Sequence, residues 1–460
     1  MSDKPIAVID IGKTNVKLAL VRLSDLSEIA VMTRPNRVLP GPPYPHFDVS
    51  GHWAFLLDGL AQCHAEHGIS AITATTHGAA AALLAEDGSL AAPVLDYEHA
   101  GPDASAAAYG AIRPPFSETG SPRLTMGLNL GAQLHWQFET DPTLRAKVHQ
   151  IVTYPQFWGY LLTGVPATDV TSLGCHTDLW NPYQGQVSTL AATLGITGVI
   201  APPRKPGDVL GSVAPAVAQH TGLSPDTTVH CGIHDSNASL VPHLLARKPP
   251  FSVVSTGTWM VAMAVRGKPV TLDPARDTLV NVNAFGDAVP SARFMAGREQ
   301  DMALDGRYVQ ADDRQIRDVL RARAMLLPAL VPETGPFAGR TARWRREEPV
   351  LGSAQRSVAV GFYLALVTAQ CLELVGHDGP VIVEGPFAGN KPFLWMLGAA
   401  ASAPVIPMDS RTGTSQGAAL LTGGQCMTAP LEIVLPACDQ QTSDLLSADD
   451  AEWKHAVHEA

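Results

Sequence analysis

One acidic residue, Asp235, stands where a short apolar strand is expected to end and a helix of small residues to begin. The segment from Thr228 to Leu240 reads TVHCGIHDSNASL, with a turn at Gly232. Ligands of open α/β folds usually bind at such strand ends. We therefore interpret Asp235 as a general base acting on a hydroxyl group of a small polyhydroxy compound. Asp is also a preferred helix N-cap, and the two interpretations are compatible.

A polar turn near the N-terminus carries residue types that can hold phosphate groups. An apolar strand runs into Asp10, and Gly12, Lys13 and Thr14 follow. Backbone N–H groups, a hydroxyl, an ammonium and a carboxylate suit phosphates and Mg²⁺. A P-loop is rejected because its first glycine would fall at position 7, which is Ala, and because strand-like alternation follows. The alternative is an ordinary hairpin turn with solvated side chains.

Further polar residues follow two other predicted strands. His77 comes after one strand, and Asp96 and Glu98 come after a hairpin arm nearby in the sequence. Polar side chains gathered at neighbouring strand ends are suited to binding hydroxyl groups. For His77 alone, a structural histidine with satisfied hydrogen bonds is the alternative.

The second half of the chain opens as the first does. A strand is predicted from Phe251, a turn at Thr256-Gly257-Thr258, and a second strand up to Val265. This repeat predicts a duplicated α/β fold that holds the phosphates of a nucleotide between two hairpin turns. A later turn, GPFAGN at 385–390, follows another apolar strand, and such a turn lets an adenine or a ribose lie against the backbone.

Periodicity predicts the elements that must position these residues. Helices are expected over 50–67, 127–163, 211–223, 240–246, 357–374 and 393–401, and strands over 6–9, 69–76, 79–84, 90–95, 380–384 and 404–408. The 460 residues exceed what one core supports, so we predict two domains, 1–246 and 247–460. A polar tail is expected from Pro436 onward.

Composition narrows the classes of function. A formal net charge of −11 argues against a nucleic-acid partner, and 46% hydrophobic with 16% charged residues indicates a globular protein. No CxxC pair occurs, which predicts reduced thiols in a cytoplasmic protein and neither a disulfide framework nor a zinc site. The cysteines are Cys63, Cys175, Cys231, Cys371, Cys426 and Cys438. Neither a signal peptide nor a membrane segment is expected.

Taken together, the motifs resemble the FGGY family of carbohydrate kinases, within the actin/Hsp70/hexokinase-like superfamily. The motifs follow the order of the family: DIGKTNVKL, THGAAAALLAEDGSLAAPVLDYEH, YLLTGVPATDVTS, GDVLGSVAPAVAQHTGLSPDTTVHCGIHD, VVSTGTW, and EGPFAGNKPFLW with TSQGAALL. The resemblance implies an α/β fold of two actin/hexokinase-like (ribonuclease H-like) domains with a central cleft. The region 267–345 is matched poorly.

The resemblance also implies a role for each matching position. Asp235 corresponds to the catalytic base. The sugar side comprises His77, Gly78, Asp96, Glu98 and His234. The phosphate and ATP side comprises Asp10, Gly12, Lys13, Thr14, Lys17, Thr256, Gly257, Thr258, Gly385, Ala388 and Asn390, with Asp10 holding Mg²⁺ through water.

The chain departs from the usual family pattern at three places. Lys13 stands where Thr is common, EGPFAGN replaces a run of three glycines, and DYEH replaces an Asp-Gln-Arg pattern. Lys13 and Gly297-Arg298-Glu299 resemble the rhamnulokinase- and fuculokinase-like branch.

The implied activity is ATP- and Mg²⁺-dependent phosphorylation of a small ketose, of the L-rhamnulose/L-fuculose, ribulose or xylulose type, or of a polyol. The enzyme would be cytoplasmic, with a homodimer as the candidate assembly and with neither nucleic acid nor membrane as a partner. An ATPase switch of the same superfamily and a sugar-binding regulator without turnover stay open as alternatives. An NAD-dependent oxidoreductase is excluded because no GxGxxG follows a strand.

Overall fold

The computed structural model of the chain describes residues 4–408, 413–423, 432–435 and 437–459. These residues form two compact units. The first unit contains 4–246 with 280–288 and 413–423, and the second contains the other described residues. The chain first crosses from the first unit into the second after residue 246, and two later segments return to the first unit. The division of functions between 1–246 and 247–460 stays a prediction.

The strands of the first unit are β1 (Ile6–Ile11), β2 (Asn15–Val21), β3 (Glu28–Pro35), β4 (Val38–Leu39), β5 (His46–Phe47), β6 (Ala71–Thr76), β7 (Ala81–Leu84), β8 (Leu90–Ala92), β9 (Gln150–Thr153), β10 (Thr168–Asp169), β11 (Trp180–Asn181), β12 (Gln186–Val187), β13 (Pro203–Arg204), β14 (Val209–Ser212), β15 (Thr228–His230) and β16 (Ile233–His234). Its main sheet has the order β14-β15-β6-β1-β2-β3, and β16 also pairs with β6.

The helices of the first unit are α1 (Val49–His67), α2 (Ala106–Ile112), α3 (Phe116–Thr119), α4 (Leu130–Thr140), α5 (Leu144–Lys147), α6 (Tyr154–Thr163), α7 (Val170–Leu173), α8 (Thr189–Thr193), α9 (Pro215–Thr221), α10 (Asp235–Ala246) and α15 (Thr414–Leu420), with a 3₁₀ turn at Gly101–Ser105. Every residue of β1 is buried, as expected for an apolar strand covered on both faces.

Strand pairing places three strand ends at one edge of this sheet. Strand β1 is antiparallel to β2 and parallel to β6, and β6 is parallel to β16. Asp10 pairs with Thr75, and Thr76 pairs with His234. The carboxyl ends of β1, β6 and β16 therefore lie side by side, which is where Asp10, His77 and Asp235 begin their turns.

The second unit has strands β17 (Phe251–Thr256), β18 (Met260–Val265), β20 (Ala288–Phe294), β21 (Met325–Leu327), β22 (Arg343–Arg345), β23 (Val381–Glu384) and β24 (Val405–Pro407), while β19 (Thr278–Val282) runs across the boundary into the segment 280–288. Its helices are α11 (Ala296–Leu304), α12 (Asp313–Ala322), α13 (Ala354–Leu374), α14 (Lys391–Ala401) and α16 (Gln440–His458), with 3₁₀ turns at Pro274–Arg276 and Pro386–Gly389. The sheet order runs β20-β18-β17-β23-β24.

The two hairpins predicted to open the two halves of the chain are both confirmed. Strands β17 and β18 are antiparallel from Phe251↔Val265 to Thr256↔Met260, and β17 is parallel to β23, just as β1 is antiparallel to β2 and parallel to β6. The mixed α/β fold class is confirmed as well.

Two expectations about local structure are wrong. The helix predicted over 127–163 is interrupted by β9, whose residues pair with β7. The helix predicted over 211–223 begins only at Pro215, because 209–212 form β14 against β15. The segment expected as a polar tail from Pro436 includes the long helix α16, for which no secondary structure was predicted; Pro436 itself lies outside the described residues.

Helix α13 has the length and hydropathy of a membrane-spanning segment, the one such helix among the described residues. Most of it, 83% of the apolar window, is buried inside the protein, as in the central helix of a folded core. Among the described residues, the cysteines at 63, 175, 231, 371 and 438 are not joined in disulfide bonds, and Cys426 lies outside this part of the chain.

Candidate active site

Asp235 opens α10 directly after β16. The backbone N–H of Ser236 donates to its Oδ1 at 2.6 Å, and the Nε2 atom of His234 lies 3.3 Å from the same oxygen. The Asp235 side chain is 30% exposed. Burial raises the pKa of this carboxyl group to about 6; the nearby His77 acts in the opposite direction, and Asp10 adds to the rise. Such a carboxylate is ionised at neutral pH and is a better proton acceptor than an ordinary Asp.

His77 presents an unpaired acceptor close to Asp235. Its Nδ1 lies 2.9 Å from the carbonyl oxygen of Gly78, which can only accept, so Nδ1 carries the proton. The Nε2 atom is therefore an acceptor, and within the described chain it is buried without a hydrogen-bond partner. Burial lowers the pKa of His77 to about 4, so the ring is neutral at pH 7. A buried, unpaired acceptor is costly unless a ligand hydroxyl satisfies it.

Aromatic rings surround His77. The centroids of Phe47, Tyr97 and Tyr154 lie 5.0, 5.1 and 5.1 Å from that of His77. These rings fix the orientation of the imidazole, which is 6% exposed. Of them, Tyr97 lies between Asp96 and Glu98 in the sequence, so the acidic segment and the histidine meet in this cluster.

Two other residues predicted on the sugar side, His234 and Gly78, pack against each other. His234 is buried, its Nδ1 is 3.2 Å from Asn237 Nδ2, and its Nε2 is 3.6 Å from Cys175 Sγ. Burial lowers the pKa of His234 to about 4. At Gly78, a Cβ atom would come within 2.9 Å of His234 Nε2. The glycine therefore allows the strand end of β6 to pack closely against that of β16.

Asp10 anchors a second cluster at the same sheet edge. Its Oδ2 accepts hydrogen bonds from Thr414 Oγ1 at 2.6 Å and Ser415 Oγ at 2.8 Å, and it lies 3.1 Å from Lys17 Nζ. Lys17 also contacts Glu28 at 3.3 Å. Sequence reasoning did not assign Thr414 and Ser415, although they open the TSQGAALL motif. Their position at the start of α15 was the available signal.

A second polar network braces the first turn. Asn36 donates from its side-chain amide to the carbonyl oxygen of Gly12 and from its backbone to that of Thr14, both at 2.8 Å. The Oδ1 atom of Asn36 accepts from His52 Nε2 at 2.8 Å. The turn is closed by Gly12 N–H donating to Asn15 O at 3.0 Å. No pattern in the sequence marks Asn36 or His52 as partners of this turn.

In the second unit, the turn at Thr256-Gly257-Thr258 meets the segment that begins at Gly385. The Thr256 hydroxyl donates to Glu384 O and accepts from Phe387 N–H at 3.1 Å. Gly385 has φ +83°, and a Cβ atom there would overlap the carbonyl oxygen of Thr256. Asn390 caps α14 by accepting from Phe393 N–H, and Ala388 is buried.

Gly297 joins the same group of backbones. Its N–H donates to Thr258 O at 3.2 Å, and a Cβ atom would overlap the carbonyl oxygen of Gly257. Sequence reasoning singled out Gly297-Arg298-Glu299 without a role. Glu299 is structural, because its carboxylate accepts from Tyr363 OH at 2.6 Å and from Val331 N–H at 3.1 Å.

The surroundings of Asp10 match a binding site for Mg²⁺ only in part. Among the described residues, no group of three or more His, Cys, Asp or Glu side chains could hold a metal ion. Mg²⁺ commonly keeps several waters and binds through one carboxylate together with substrate phosphates, which is a role that a single Asp10 can fill.

Two consecutive parts of the chain match two domains of one known protein family. Residues 6–242 match the N-terminal domain of the FGGY family of carbohydrate kinases, and residues 248–430 match the C-terminal domain described as carbohydrate kinase FGGY. The L-fuculokinase of Haemophilus influenzae is 30% identical over 139 residues, which are 29% of this chain and only 28% of that protein.

Solved structures match over the full length. The crystal structure of a carbohydrate kinase from Novosphingobium aromaticivorans has a TM-score of 0.91 and 35% identity, and the match covers 100% of each chain. The ligand-bound xylulose kinase from Lactobacillus acidophilus has a TM-score of 0.78 and 14% identity over 99% of this chain and 98% of that one. These likenesses confirm the two-domain, actin/hexokinase-like fold expected from the sequence.

Proposed function

Because this chain belongs to the FGGY family of carbohydrate kinases, we propose that it transfers the γ-phosphoryl group of ATP to a hydroxyl of a small ketose or polyol. The observation that carries the proposal is the pairing of Asp235, with its raised pKa, and His77, with its unpaired buried acceptor, at adjacent ends of parallel strands. A proton acceptor beside a hydroxyl-binding atom is what phosphorylation of an alcohol requires.

Asp235 acts as the general base. Phosphoryl transfer has a loose transition state, so the attacking hydroxyl needs positioning more than early deprotonation. His77 Nε2 accepts a hydrogen bond from one substrate hydroxyl and fixes the sugar. The ionised Asp235 then takes the proton of the attacking hydroxyl as the new P–O bond forms. The acidic segment around Asp96 and Glu98 binds further hydroxyl groups.

The nucleotide side of the proposal rests on the two hairpin turns. In the first unit, Gly12, Lys17 and the backbone of Thr14 bind phosphates, and Asp10 would act on them through Mg²⁺. In the second unit, Thr256, Gly257 and Thr258 bind phosphates, and Gly385, Ala388 and Asn390 bind the adenosine. Mg²⁺, bound to ATP and held by Asp10 through water, would neutralise phosphate charge.

The substrate is proposed at the level of its class. Ketoses of the L-rhamnulose/L-fuculose, ribulose and xylulose types and small polyols present the hydroxyl groups that this cluster can bind. The 139-residue match to a fuculokinase supports including the 6-deoxy ketoses in that class.

A coupled assay for ADP, with ATP, Mg²⁺ and a panel of ketoses and polyols, tests the proposal. Asp235→Asn should lower kcat by about 10²–10⁴-fold, because the base is removed while the fold is kept. Binding of the Mg²⁺ complex of AMP-PNP, a non-hydrolysable ATP analogue, should persist. The exposed Asp226→Asn is the matched control and should keep full activity.

The pH profile gives a second readout. Since the pKa of Asp235 is about 6 and the base must be ionised, kcat should rise tenfold per pH unit below 6 and level off above it. Full turnover by Asp235→Asn would refute the general base. ATP hydrolysis that no sugar stimulates would favour the ATPase switch, and sugar binding without turnover would favour the regulator.

A further inference from the structure

The side chain of Lys13 lies against the acidic segment 96–98, which follows the hairpin formed by β7 and β8. Its ammonium group bonds Asp96 Oδ1 and lies 3.0 Å from Glu98 Oε2. It also lies 4.7 Å from the ring centroid of Tyr97 and 5.5 Å from that of Phe47. These are the cation–π distances that hold an ammonium over an aromatic face. Lys13 therefore sits in the cluster that contains His77.

Lys17, on the same hairpin, belongs to a different cluster. Its ammonium group lies 3.1 Å from Asp10 and 3.3 Å from Glu28. The two lysines of the hairpin thus serve two sets of carboxylates. Only Lys17 contacts the acid that we assign to the phosphate side.

Electrostatic effects connect both Lys13 and Asp235 to His77. Beyond burial, both Asp235 and Lys13 act on the pKa of His77, Asp235 raising it and Lys13 lowering it. The pKa of Tyr97 is raised by burial, by Glu98, by Asp235 and by Asp96. His77 is therefore within electrostatic range of both Asp235 and Lys13, and Tyr97 is within range of Asp235 and the two acids.

Asp96 is held so that it can orient the lysine. It is 7% exposed, and its Oδ1 accepts the N–H of Glu98 at 3.2 Å as well as the Lys13 ammonium. An ammonium has three donors, of which the two carboxylates take two. One donor therefore stays available on an ammonium group that the buried Asp96 holds in place.

Resting on the function proposed above, we propose that Lys13 is a specificity-determining residue that binds a hydroxyl or carbonyl oxygen of the sugar and is not a ligand of the ATP phosphates. This changes the role implied by the family resemblance. It also links two departures from the family pattern, since Lys13 and the DYEH segment contact each other. The lysine supplies a cation to an acidic segment that has none of its own.

Three matched variants separate sugar binding from nucleotide binding. Lys13→Met should raise the sugar KM at least tenfold and leave the Kd for Mg²⁺·AMP-PNP, measured by calorimetry, within twofold. Lys17→Met should do the reverse. The exposed Lys147→Met should change neither constant. Lys13→Gln, which keeps hydrogen-bond donors, should recover part of the sugar affinity.

Deoxy analogues sharpen the assignment. A site built to bond an oxygen discriminates strongly against the analogue that lacks it. With wild type, one monodeoxy sugar should have a much lower kcat/KM than the parent sugar, because it lacks the oxygen that Lys13 bonds. With Lys13→Met, the kcat/KM values of these two sugars should differ little. If each monodeoxy sugar lowers kcat/KM by the same factor in wild type and in Lys13→Met, Lys13 bonds no sugar oxygen and the proposal is overturned.

The proposed kinase function and the proposed role of Lys13 are tested by different measurements, so that one can be wrong without the other. Wild-type turnover with some sugar tests the kinase function alone. Binding of Mg²⁺·AMP-PNP needs no turnover, so a tenfold loss in Lys13→Met overturns the role of Lys13 whatever the sugar panel shows. Unchanged binding, with thermal unfolding like that of wild type, supports it. If Lys13→Met does not fold, Lys13→Gln decides by the same binding measurement.

Discussion

The two hairpins that open the two units share a backbone and differ in chemistry. Each is an antiparallel pair followed by a parallel neighbour, β6 in the first unit and β23 in the second. The first turn is flanked by Asp10, Lys13 and Lys17, whereas the second, STGTW, carries hydroxyls, a glycine and a tryptophan but no charged residue. One backbone design therefore supports a charged site in one unit and an uncharged one in the other.

The way each turn is held differs correspondingly. The first turn is braced by Asn36, whose side-chain amide donates to Gly12 O and whose backbone N–H donates to Thr14 O. The second is held by backbones that approach at Gly297 and Gly385, positions where a Cβ atom would overlap a carbonyl oxygen. We infer that the first turn depends on charge and hydrogen bonds, and the second on close packing.

Removing the charge of the first hairpin should have the largest effect. In Asp10→Asn, Lys17 loses one of its two carboxylate partners, and Thr414 and Ser415 lose a charged acceptor. We expect kcat/KM for ATP to fall about 10²–10³-fold, because charge neutralisation dominates phosphoryl transfer. The coupled assay with the best sugar measures it.

Asp25→Asn is the control, since Asp25 is an exposed acid on the loop after β2. A loss of less than threefold in Asp10→Asn would show that the charge at the first turn is not what distinguishes the two hairpins.

The features that could be read from the sequence are those with local signals. Both hairpins follow from strand alternation broken by a glycine turn, and Asp235 follows from a strand, a turn and a helix start. Strand β9 was missed because its four residues, QIVT, lie between helical segments and pair with a distant strand. Periodicity within a short apolar run does not separate strand from helix.

Long-range partners could not be predicted from spacing. Thr414 and Ser415 bond Asp10 across about 400 residues of chain, and Asn36 reaches Gly12 from the end of another strand. Helix α16 did carry a signal, because Leu446, Trp453 and Val457 are buried at near-helical spacing. Its docking, through Trp453 Nε1 to Leu326 O at 2.9 Å, could not be seen in the sequence.

A methyl group at residue 385 should test the packing of the second turn. Gly385→Ala forces a Cβ atom into the carbonyl oxygen of Thr256 at a φ of +83°. The backbone must shift, so we expect the free energy of unfolding to fall by about 2–3 kcal/mol. Urea unfolding monitored by tryptophan fluorescence measures it.

Gly389→Ala is the matched control, because a Cβ atom there meets no atom within 4 Å and the residue lies in the same 3₁₀ turn region. Equal stability of the two alanine variants would mean that the second turn tolerates movement, and the contrast with the first turn would be lost.

The brace of the first turn should give the smallest effect. Asn36→Ala removes two side-chain hydrogen bonds, to Gly12 O and from His52, but keeps the backbone bond to Thr14 O. We expect a three- to tenfold higher Kd for Mg²⁺·AMP-PNP, because one turn carbonyl is released. His52→Gln should stay near wild type, since its amide can still donate to Asn36 Oδ1. If Asn36→Ala lowered the melting temperature while leaving the Kd unchanged, the amide would stabilise the fold without positioning the turn, and both hairpins would then be held by packing.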